Sequence, residues 1–306
     1  MTRVGLARLA RWVPLLAAVA LVVPAPSVQP AAISLTSVGS AKAVDWGDGV
    51  LWVLVLGSDA RPGTPVTSGR TDAIQLVGLD WRRGRAVSIG IPRDSWVQLD
   101  GPDPGFDRIN AALDAGGTGV AAQAVTDMVG IVPDLVLVTG FAGFEDMIES
   151  VGEIRVDSPV AFPDNAHGLV VRRGTNRFDA EQALSFARIR QGLEGDDLAR
   201  SANHQRLMVG VLEQLRLHED EEGYMEAATL AAIGGLETDL NPVELYRFAQ
   251  AVTTIDPSRT TACVIGGEPY TTELGAQVLL PDTEQARALG DDAEDDAALQ
   301  GGCRAR

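Results

Sequence analysis

Three short apolar runs between residues 50 and 94 constrain the fold more than any other part of this sequence. They cover residues 50–56, 73–79 and 86–91, and each is bounded by turn residues or by charges. Runs of this length, rich in Val, Ile and Leu, are typical of buried β-strands. If the first two strands pair as antiparallel neighbours, the end of one lies beside the start of the next. The third strand then runs parallel to the first and ends at the same edge.

Four charged residues occupy those strand ends. Asp59 follows the first run, Arg70 and Asp72 precede the second, and Arg93 follows the third. Two close carboxylates repel each other unless a cation lies between them. Carboxylate and phosphate oxygens are the usual ligands of Mg²⁺, and arginine forks match phosphate oxygens. This rim therefore suits a Mg²⁺-bound pyrophosphate, although ion pairs that simply close strand ends are an equally good explanation.

The remainder of the chain alternates between predicted strands and predicted helices. Residues 135–138 and 154–156 have the character of strands, whereas 141–151 and 198–217 have apolar residues at helical spacing. Residues 157–176 are rich in turn formers and are expected to be irregular. Alternation of this kind favours a layered α/β domain.

More arginines follow in the second half of this domain. Arg188 and Arg190 come at the end of a short helix for which Asp179 is a plausible N-cap, and Arg200 lies near the start of the long helix. The N-terminus of a helix favours an anion. An Arg-x-Arg pair after a helix can also simply bind terminal carbonyls.

The N-terminus has the pattern of an export signal. It carries Arg3, Arg8 and Arg11 and then no charge until Lys42, with a strongly apolar run at residues 12–23. Positive charge stays on the cytoplasmic side of such a segment. The apolar run is short for a membrane span of about 20 residues, but the uncharged stretch after it can complete one. We expect an uncleaved anchor, with the rest of the chain on the extracytoplasmic face of the cell membrane.

Net charge and cysteine content indicate which partners and which compartment suit this chain. The formal net charge of −17 argues against nucleic-acid binding, which needs a basic face. The pair Cys263 and Cys303 in an exported chain favours a disulfide that ties the C-terminal segment to a strand. We expect three regions: an anchor and linker at 1–41, an exported domain at 42–290, and a solvated acidic tail at 291–306.

Six short motifs spread over residues 50–217 form a more specific pattern. They are LVLGSDAR (54–61), SGRTDAIQLVGLD (68–80), VSIGIPRDSWV (87–97), DRINAAL (107–113), DAEQALSFARIR (179–190) and DDLAR (196–200). In order and spacing they resemble the LytR-CpsA-Psr family of bacterial cell-wall glycopolymer ligases.

The resemblance implies a central mixed β-sheet flanked by helices, with a hydrophobic channel for a polyprenyl chain. It implies a Mg²⁺-dependent phosphotransferase that moves a glycopolymer with one phosphate from a polyprenyl-pyrophosphate carrier onto a peptidoglycan hydroxyl. The carrier-linked glycan, the peptidoglycan acceptor and the cytoplasmic membrane are then the expected partners. Three alternatives stay open: a non-catalytic protein that binds polyprenyl phosphates, a polyprenyl-pyrophosphate pyrophosphatase, and a purely structural wall protein.

The resemblance also assigns roles to individual positions. Asp59 and Asp72 match the metal-associated acids of the family. The phosphate-contacting arginines match Arg70, Arg93, Arg108, Arg188, Arg190 and Arg200. Asp94 matches an acid that orients arginines, and Asp197 matches the acid that precedes the long helix. Arg93, Asp72 and Asp94 are the expected catalytic residues, with Asp72 or Asp94 as the base for the acceptor hydroxyl.

The start of the long helix departs from the family pattern. Many members read Arg-Gln-Gln where this chain reads Asn203-His204-Gln205. One cation is therefore missing, and His204 stands where the family has a phosphate-contacting Gln. The histidine either makes that contact through a ring N–H or is a tolerated surface substitution.

Overall fold

The computed structural model describes residues 49–61, 63–164, 168–189, 196–238 and 240–303. The predicted anchor and linker at residues 1–41 lie outside these ranges, and so does Arg190. Within the described ranges, no helix is both long enough and apolar enough to cross a bilayer. The described residues form an α/β fold around a mixed sheet flanked by helices, as predicted.

The strands and helices are numbered here in chain order. The strands are β1 (Leu51–Ser58), β2 (Thr71–Asp80), β3 (Arg85–Gly90), β4 (Trp96–Leu99), β5 (Gly105–Arg108), β6 (Leu135–Thr139), β7 (Ile154–Ser158), β8 (Phe162–Asp164), β9 (Leu169–Val171), β10 (Gly174–Phe178), β11 (Leu236–Glu237), β12 (Thr260–Val264), β13 (Gly267–Thr271) and β14 (Gln277–Pro281). The helices are α1 (Ala112–Val129), α2 (Phe141–Val151), α3 (Ala180–Arg188), α4 (Asp196–His218), α5 (Tyr224–Gly235), α6 (Pro242–Thr253) and α7 (Thr283–Ala293).

The central sheet has six strands in the order β11–β6–β1–β2–β3–β12. β2 is antiparallel to both β1 and β3, while β6 runs parallel to β1 and β12 runs parallel to β3. The first three strands are the apolar runs that were predicted to pair, and their predicted directions are confirmed. The end of β1, the start of β2 and the end of β3 therefore lie at one edge of the sheet.

Alternate side chains of the sheet point into two different cores. Trp52, Leu54 and Leu56 of β1 belong to a closely packed core that α1 and α7 close. Leu51 and Val53 point to the opposite face, where α4 and α6 pack. This period of two is the geometry of a strand that is buried on both sides. The sheet is therefore the middle layer of three.

Seven strands in the described ranges were not predicted, and five of them lie in two segments. Residues 157–176, expected to be irregular, contribute β8, β9 and most of β10; β8 pairs with β9, and β10 pairs with β7. β4 and β5 pair on either side of a Gly- and Pro-rich turn. These strands are only three to five residues long, and all but β9 contain polar or charged residues, so the apolar signal that marked β1–β3 is weak there.

The C-terminal segment differs from the solvated tail that was expected. Ala293, Ala297 and Leu299 are buried in the core beside α1. Asp296 pairs with Arg85, with 3.2 Å between Oδ2 and Nη1. The predicted disulfide between Cys263 and Cys303 is confirmed, and it ties this segment to β12. Five acids at residues 291–296 indicated a solvated segment, although apolar residues lie among them and after them.

Candidate active site

A cavity of about 720 Å³ lies between the central sheet and helices α2–α6. Its apolar lining includes Val53, Val55, Val77, Leu79, Leu137 and Phe144. The ionisable side chains on the lining come from the start of β2, the end of α3 and the first turns of α4. They are Asp72, Arg188, Arg200 and His204. The cavity thus combines a large apolar interior with one charged end.

An irregularity in the β1–β2 pairing directs Asp72. The register shifts between Gly57 and Ser58, so Asp72 has no pairing partner on β1. A bulge of this kind re-aims a side chain and is common beside functional sites. Here Asp72 lines the cavity, and its Oδ1 accepts a hydrogen bond from Arg93 Nη1.

Asp59 and Arg70 close the same edge of the sheet. The Asp59 N–H donates to the Arg70 carbonyl at 2.9 Å, and the Arg70 N–H donates to Asp59 Oδ1 at 2.8 Å. Both residues are exposed. These paired bonds place Asp59 and Asp72 on adjacent strand ends, as the sequence predicted.

Arg93 is the centre of a connected group of charges. Besides its pair with Asp72, its Nε lies 3.8 Å from Asp94 Oδ2 and 3.8 Å from Asp197 Oδ1. Asp94 Oδ1 in turn lies 3.5 Å from Arg108 Nε. Carboxylates from β2, from the loop after β3 and from α4 therefore meet at one guanidinium. We call these five residues, together with Arg200, the charged cluster.

Arg200 joins the cluster from the first turns of α4. It is 3% exposed and donates a hydrogen bond to Asp197 Oδ1. Both residues lie where the helix N-terminus already favours negative charge from a ligand. A buried guanidinium at that place strengthens the preference for an anion.

The environment of Asp94 changes its acidity. Burial, a hydrogen bond with Asp197 and repulsion from that carboxylate raise the pKa of Asp94 to about 6. Arg93 and Arg108 oppose this shift by favouring the charged form. A carboxylate with a pKa near the working pH is well matched to accept a proton from a hydroxyl group.

His204 points inward from α4. Its Nε2 lies 2.9 Å from the Ala187 carbonyl, and because a carbonyl only accepts, Nε2 must carry the proton. Nδ1 is buried and has no hydrogen-bond partner among the described residues. Burial lowers the pKa of His204 to about 4, and Arg200 nearby adds to the effect. The neutral ring therefore has no N–H left for a phosphate, and the predicted contact requires a second proton.

Arg188 lies at the end of α3 with its guanidinium over an aromatic ring. Its Cζ is 4.7 Å from the centroid of Phe141, which begins α2 and lines the same cavity. Such a contact holds a cation in place without neutralising it. Phe141 was not predicted as a site residue, because the two residues belong to different helices and no periodicity relates them.

A buried polar group in the cavity wall was also not predicted. Gln75 Nε2 donates to Ser201 Oγ at 2.9 Å, and Ser88 Oγ donates to Gln75 Oε1 at 3.0 Å. Gln205 Nε2 donates to the Ser88 carbonyl at 3.1 Å and to the Cys263 carbonyl at 2.9 Å. This group ties α4 to β2, β3 and β12. In the sequence, the only indication of this buried polar group is Gln75 within the otherwise apolar run at residues 73–79.

The donor set at the sheet edge fits a metal that is shared with a substrate. Across the described ranges there is no group of three or more His, Cys, Asp or Glu able to hold a metal. Mg²⁺, however, is commonly held by one or two carboxylates together with phosphate oxygens and waters. The hydrogen bonds described above engage Oδ1 of Asp59 and Oδ1 of Asp72, which leaves Oδ2 of each for a cation.

Comparison with known proteins extends these observations. The sequence profile of the LytR_cpsA_psr family matches residues 32–294. TagT of Bacillus subtilis (strain 168), a polyisoprenyl-teichoic acid–peptidoglycan teichoic acid transferase, is 30% identical over 186 residues, or 58% of this chain and 56% of the relative. TagU of Bacillus cereus, with the same description, is 25% identical over 195 residues, or 63% and 62%. The alignments span less than two thirds of these relatives' lengths.

Solved structures share the fold. The crystal structure of B. subtilis TagV has a TM-score of 0.67 at 24% identity and covers 79% of this chain and 95% of that one. A structure of TagT bound to LI-WTA has a TM-score of 0.66 at 21% identity, with coverage of 84% and 94%. At these identities the likeness is evidence for the fold alone.

Proposed function

Because the chain belongs to the LytR-CpsA-Psr family, as its six motifs predicted, we propose that it transfers a glycopolymer from a polyprenyl-pyrophosphate carrier onto peptidoglycan. One phosphate moves with the glycan. The names of TagT and TagU describe transfer of a teichoic acid to peptidoglycan from a polyisoprenyl carrier, which supports the same reaction class.

The observation that carries this proposal is the cavity with one charged end. A polyprenyl chain is long and apolar, and burial of its surface in the cavity is favourable at about 25 cal/mol per Å². A pyrophosphate is small and strongly anionic, and guanidinium groups are its best protein partners. Arg188 and Arg200 line the cavity, and Arg93 contacts Asp72 on the same lining. The site thus matches both parts of one amphiphilic substrate.

The charged cluster can carry out the transfer by positioning and electrostatics. The acceptor hydroxyl oxygen attacks the phosphorus that carries the glycan, and the bond from that phosphorus to the polyprenyl phosphate breaks with the electron pair leaving on the lipid phosphate. Arg93 and Arg200 offset the charge that develops on the phosphate oxygens. Asp94 accepts the hydroxyl proton. We assign the proton to Asp94 and not to Asp72, because Arg93 donates a hydrogen bond to Asp72, whereas burial and Asp197 raise the pKa of Asp94 to about 6.

Asp59 and Asp72 are the residues that would hold Mg²⁺. When bound, this ion supplies positive charge to the phosphate oxygens. Arg70 is exposed at the same sheet edge, and its backbone is hydrogen-bonded to the Asp59 carboxylate. Its proposed role is to contact the phosphate from the solvent side.

We propose further that the protein works on the extracytoplasmic face of the bacterial cell membrane, anchored by its N-terminal segment. The apolar run at residues 12–23 after three arginines supports export. The Cys263–Cys303 disulfide suits an oxidising compartment. A lipid-linked donor and a peptidoglycan acceptor both meet at that surface.

The test is transfer by the full chain in detergent with a short polyprenyl-pyrophosphate glycan, peptidoglycan and Mg²⁺. Arg93→Ala should lower the rate of transfer by roughly 10²–10³-fold, since it removes the central donor to the phosphate. Arg83→Ala is the matched control, because Arg83 pairs with Asp80 at the opposite end of β2. Wild-type transfer by Arg93→Ala, with both variants folded, would contradict the role proposed for Arg93.

A further inference from the structure

One face of the β4–β5 hairpin carries four side chains, of which only Arg108 belongs to the charged cluster. Trp96 pairs with Arg108 and Gln98 pairs with Phe106 across the two strands. Paired residues and alternate residues of a strand share one face of a hairpin. Trp96, Gln98, Phe106 and Arg108 therefore lie together, and we call them the aromatic face. Leu99 belongs to the opposite face and is buried in the core beneath the sheet.

The two rings of the aromatic face stack on each other, and Phe106 is the more exposed of the two. Their centroids are 6.4 Å apart and their planes differ by 24°. Phe106 is 63% exposed, although phenylalanine is usually buried. Single exposed apolar residues are ordinary, but a ring pair bordered by polar groups is the pattern of an interaction site.

The aromatic face is continuous with the charged cluster. Arg108 belongs to both, because its Nε lies 3.5 Å from Asp94 Oδ1 while it stands opposite Trp96 on the hairpin. Its guanidinium also donates to the Gln277 carbonyl at 2.7 and 3.2 Å, which fixes its position. The Asn110 N–H donates to the Arg93 carbonyl at 3.1 Å, so the end of the hairpin is tied to the loop that carries Arg93 and Asp94.

We propose that the aromatic face binds a sugar ring of the acceptor glycan and guides its hydroxyl to Asp94. This inference rests on the proposed function and names the subsite for the second substrate. A pyranose ring has a face of C–H groups that packs on aromatic rings, while its hydroxyl groups extend outward at the rim. Gln98 and Arg108 offer an amide and a guanidinium for those hydroxyls. The surface matches the amphiphilic character of a sugar better than that of a peptide or a lipid.

The geometry of the reaction favours the acceptor glycan over the donor glycan. In phosphoryl transfer the attacking and leaving oxygens lie roughly in line on opposite sides of the phosphorus. The leaving group here is the lipid phosphate, whose chain occupies the cavity. The attacking hydroxyl must then come from the side away from the cavity. Asp94, Arg108 and the two rings do not line the cavity, whereas Asp72 and Arg200 do, so a sugar on the aromatic face can approach from outside the cavity.

The experiment compares Phe106→Ala with wild type in the full chain. We expect about a tenfold rise in KM for peptidoglycan, from loss of one stacking contact, with KM for the lipid-linked donor unchanged. Phe106→Trp should restore the wild-type value. The matched control is Val170→Ala, since Val170 is 69% exposed on the separate β8–β9 pair and should be silent.

A binding measurement separates this inference from the proposed function. Calorimetric titration of soluble peptidoglycan fragments needs no turnover, so it reports on the subsite even if transfer is absent. Wild-type binding that weakens in Phe106→Ala supports the subsite. The inference is overturned if the fragments do not bind wild type, if Phe106→Ala binds and transfers as wild type does, or if only the donor KM rises.

Discussion

At the scale of single residues, Asp94 is the group whose environment most directly predicts a measurable property. Its pKa of about 6 comes from burial and from Asp197 beside it. A base must be ionised to act, so the transfer rate should rise as the pH increases through about 6 and level off above it. Asp94→Asn should remove this rising limb and lower the rate by roughly 10²–10⁴-fold. The measurement is the pH dependence of kcat/KM, which reports the pKa of the free protein.

Asp197→Asn provides the control for that profile. The change removes the repulsion that disfavours ionised Asp94 but keeps a side chain of similar shape. The rising limb should therefore move to lower pH without disappearing. An unchanged limb in both variants would mean that another group takes the hydroxyl proton.

The environment of His204 predicts a second pH effect, on the affinity for pyrophosphate. In the free protein its pKa is about 4 because of burial, so the ring is neutral at pH 7. A bound pyrophosphate stabilises the doubly protonated ring, so binding should take up a proton and tighten as the pH falls. His204→Gln, which carries an amide N–H at any pH, should lose this component. Titration calorimetry with inorganic pyrophosphate at several pH values measures it.

The titration of pyrophosphate itself is common to both proteins and cancels in the comparison. If wild type and His204→Gln show the same dependence of affinity on pH, His204 does not contact the anion. In that case its role is limited to the hydrogen bond between α4 and the Ala187 carbonyl.

At the scale of elements, the position of α4 depends on close contact with β3. A Cβ on Gly90 would overlap Ser201 Oγ and lie 3.0 Å from Gln205 Nε2, both in the buried polar group. Gly90→Ala should therefore lower the free energy of unfolding by about 1–3 kcal/mol, as overpacked cores do. Urea-induced unfolding of the variant and wild type measures the difference.

Gly119→Ala in α1 is the matched control for that substitution. Nothing lies within 4 Å of a Cβ at Gly119, and alanine is the better helix former. It should raise the free energy of unfolding by about 0.5–1 kcal/mol. Equal effects of the two substitutions would mean that the contact between α4 and β3 is not as close as described.

The elements also show what sequence alone can predict. β1–β3 were predicted because continuous apolar runs signal buried strands, and their turns predicted the shared edge. α3 was predicted with its N-cap, and Asp179 indeed forms a capping box with Gln182. The bulge at Asp72 and the β4–β5 hairpin were not predicted. Both arise from pairing between strands, which leaves no local pattern in the sequence.

At the scale of the whole molecule, the disulfide holds the C-terminal segment against the sheet. Cys263 and Cys303 are separated by 40 residues. Closing a loop of that length stabilises a fold by about 4 kcal/mol through the unfolded chain. Cys303→Ser should lower the free energy of unfolding by about that amount. A reductant should lower wild-type stability to the same level and leave the variant unchanged; equal stability of all forms would show that the bond is dispensable.

The cavity and the charged cluster are also properties of the whole molecule. Asp72 and Arg93 were identified from the strand ends, Arg200 from the start of the long helix, and the other charged residues from the family motifs. The contacts between them join β2, the loop after β3, β5 and α4, which only the fold brings together. The apolar interior was expected from the resemblance alone, since its lining side chains are indistinguishable in sequence from those of an ordinary core. Arg190 lies outside the described residues, and its role stays a prediction.

The most direct test of the central claim is the mass of the products that the full chain releases. The reaction contains a short polyprenyl-pyrophosphate glycan and Mg²⁺, with and without peptidoglycan. We predict equal amounts of polyprenyl monophosphate and of peptidoglycan that carries the glycan through one phosphate, formed only when peptidoglycan is present. Release of free glycan phosphate at the same rate without peptidoglycan would contradict the claim and indicate a pyrophosphatase. Lipid that binds but is never cleaved would contradict it in favour of a binding protein.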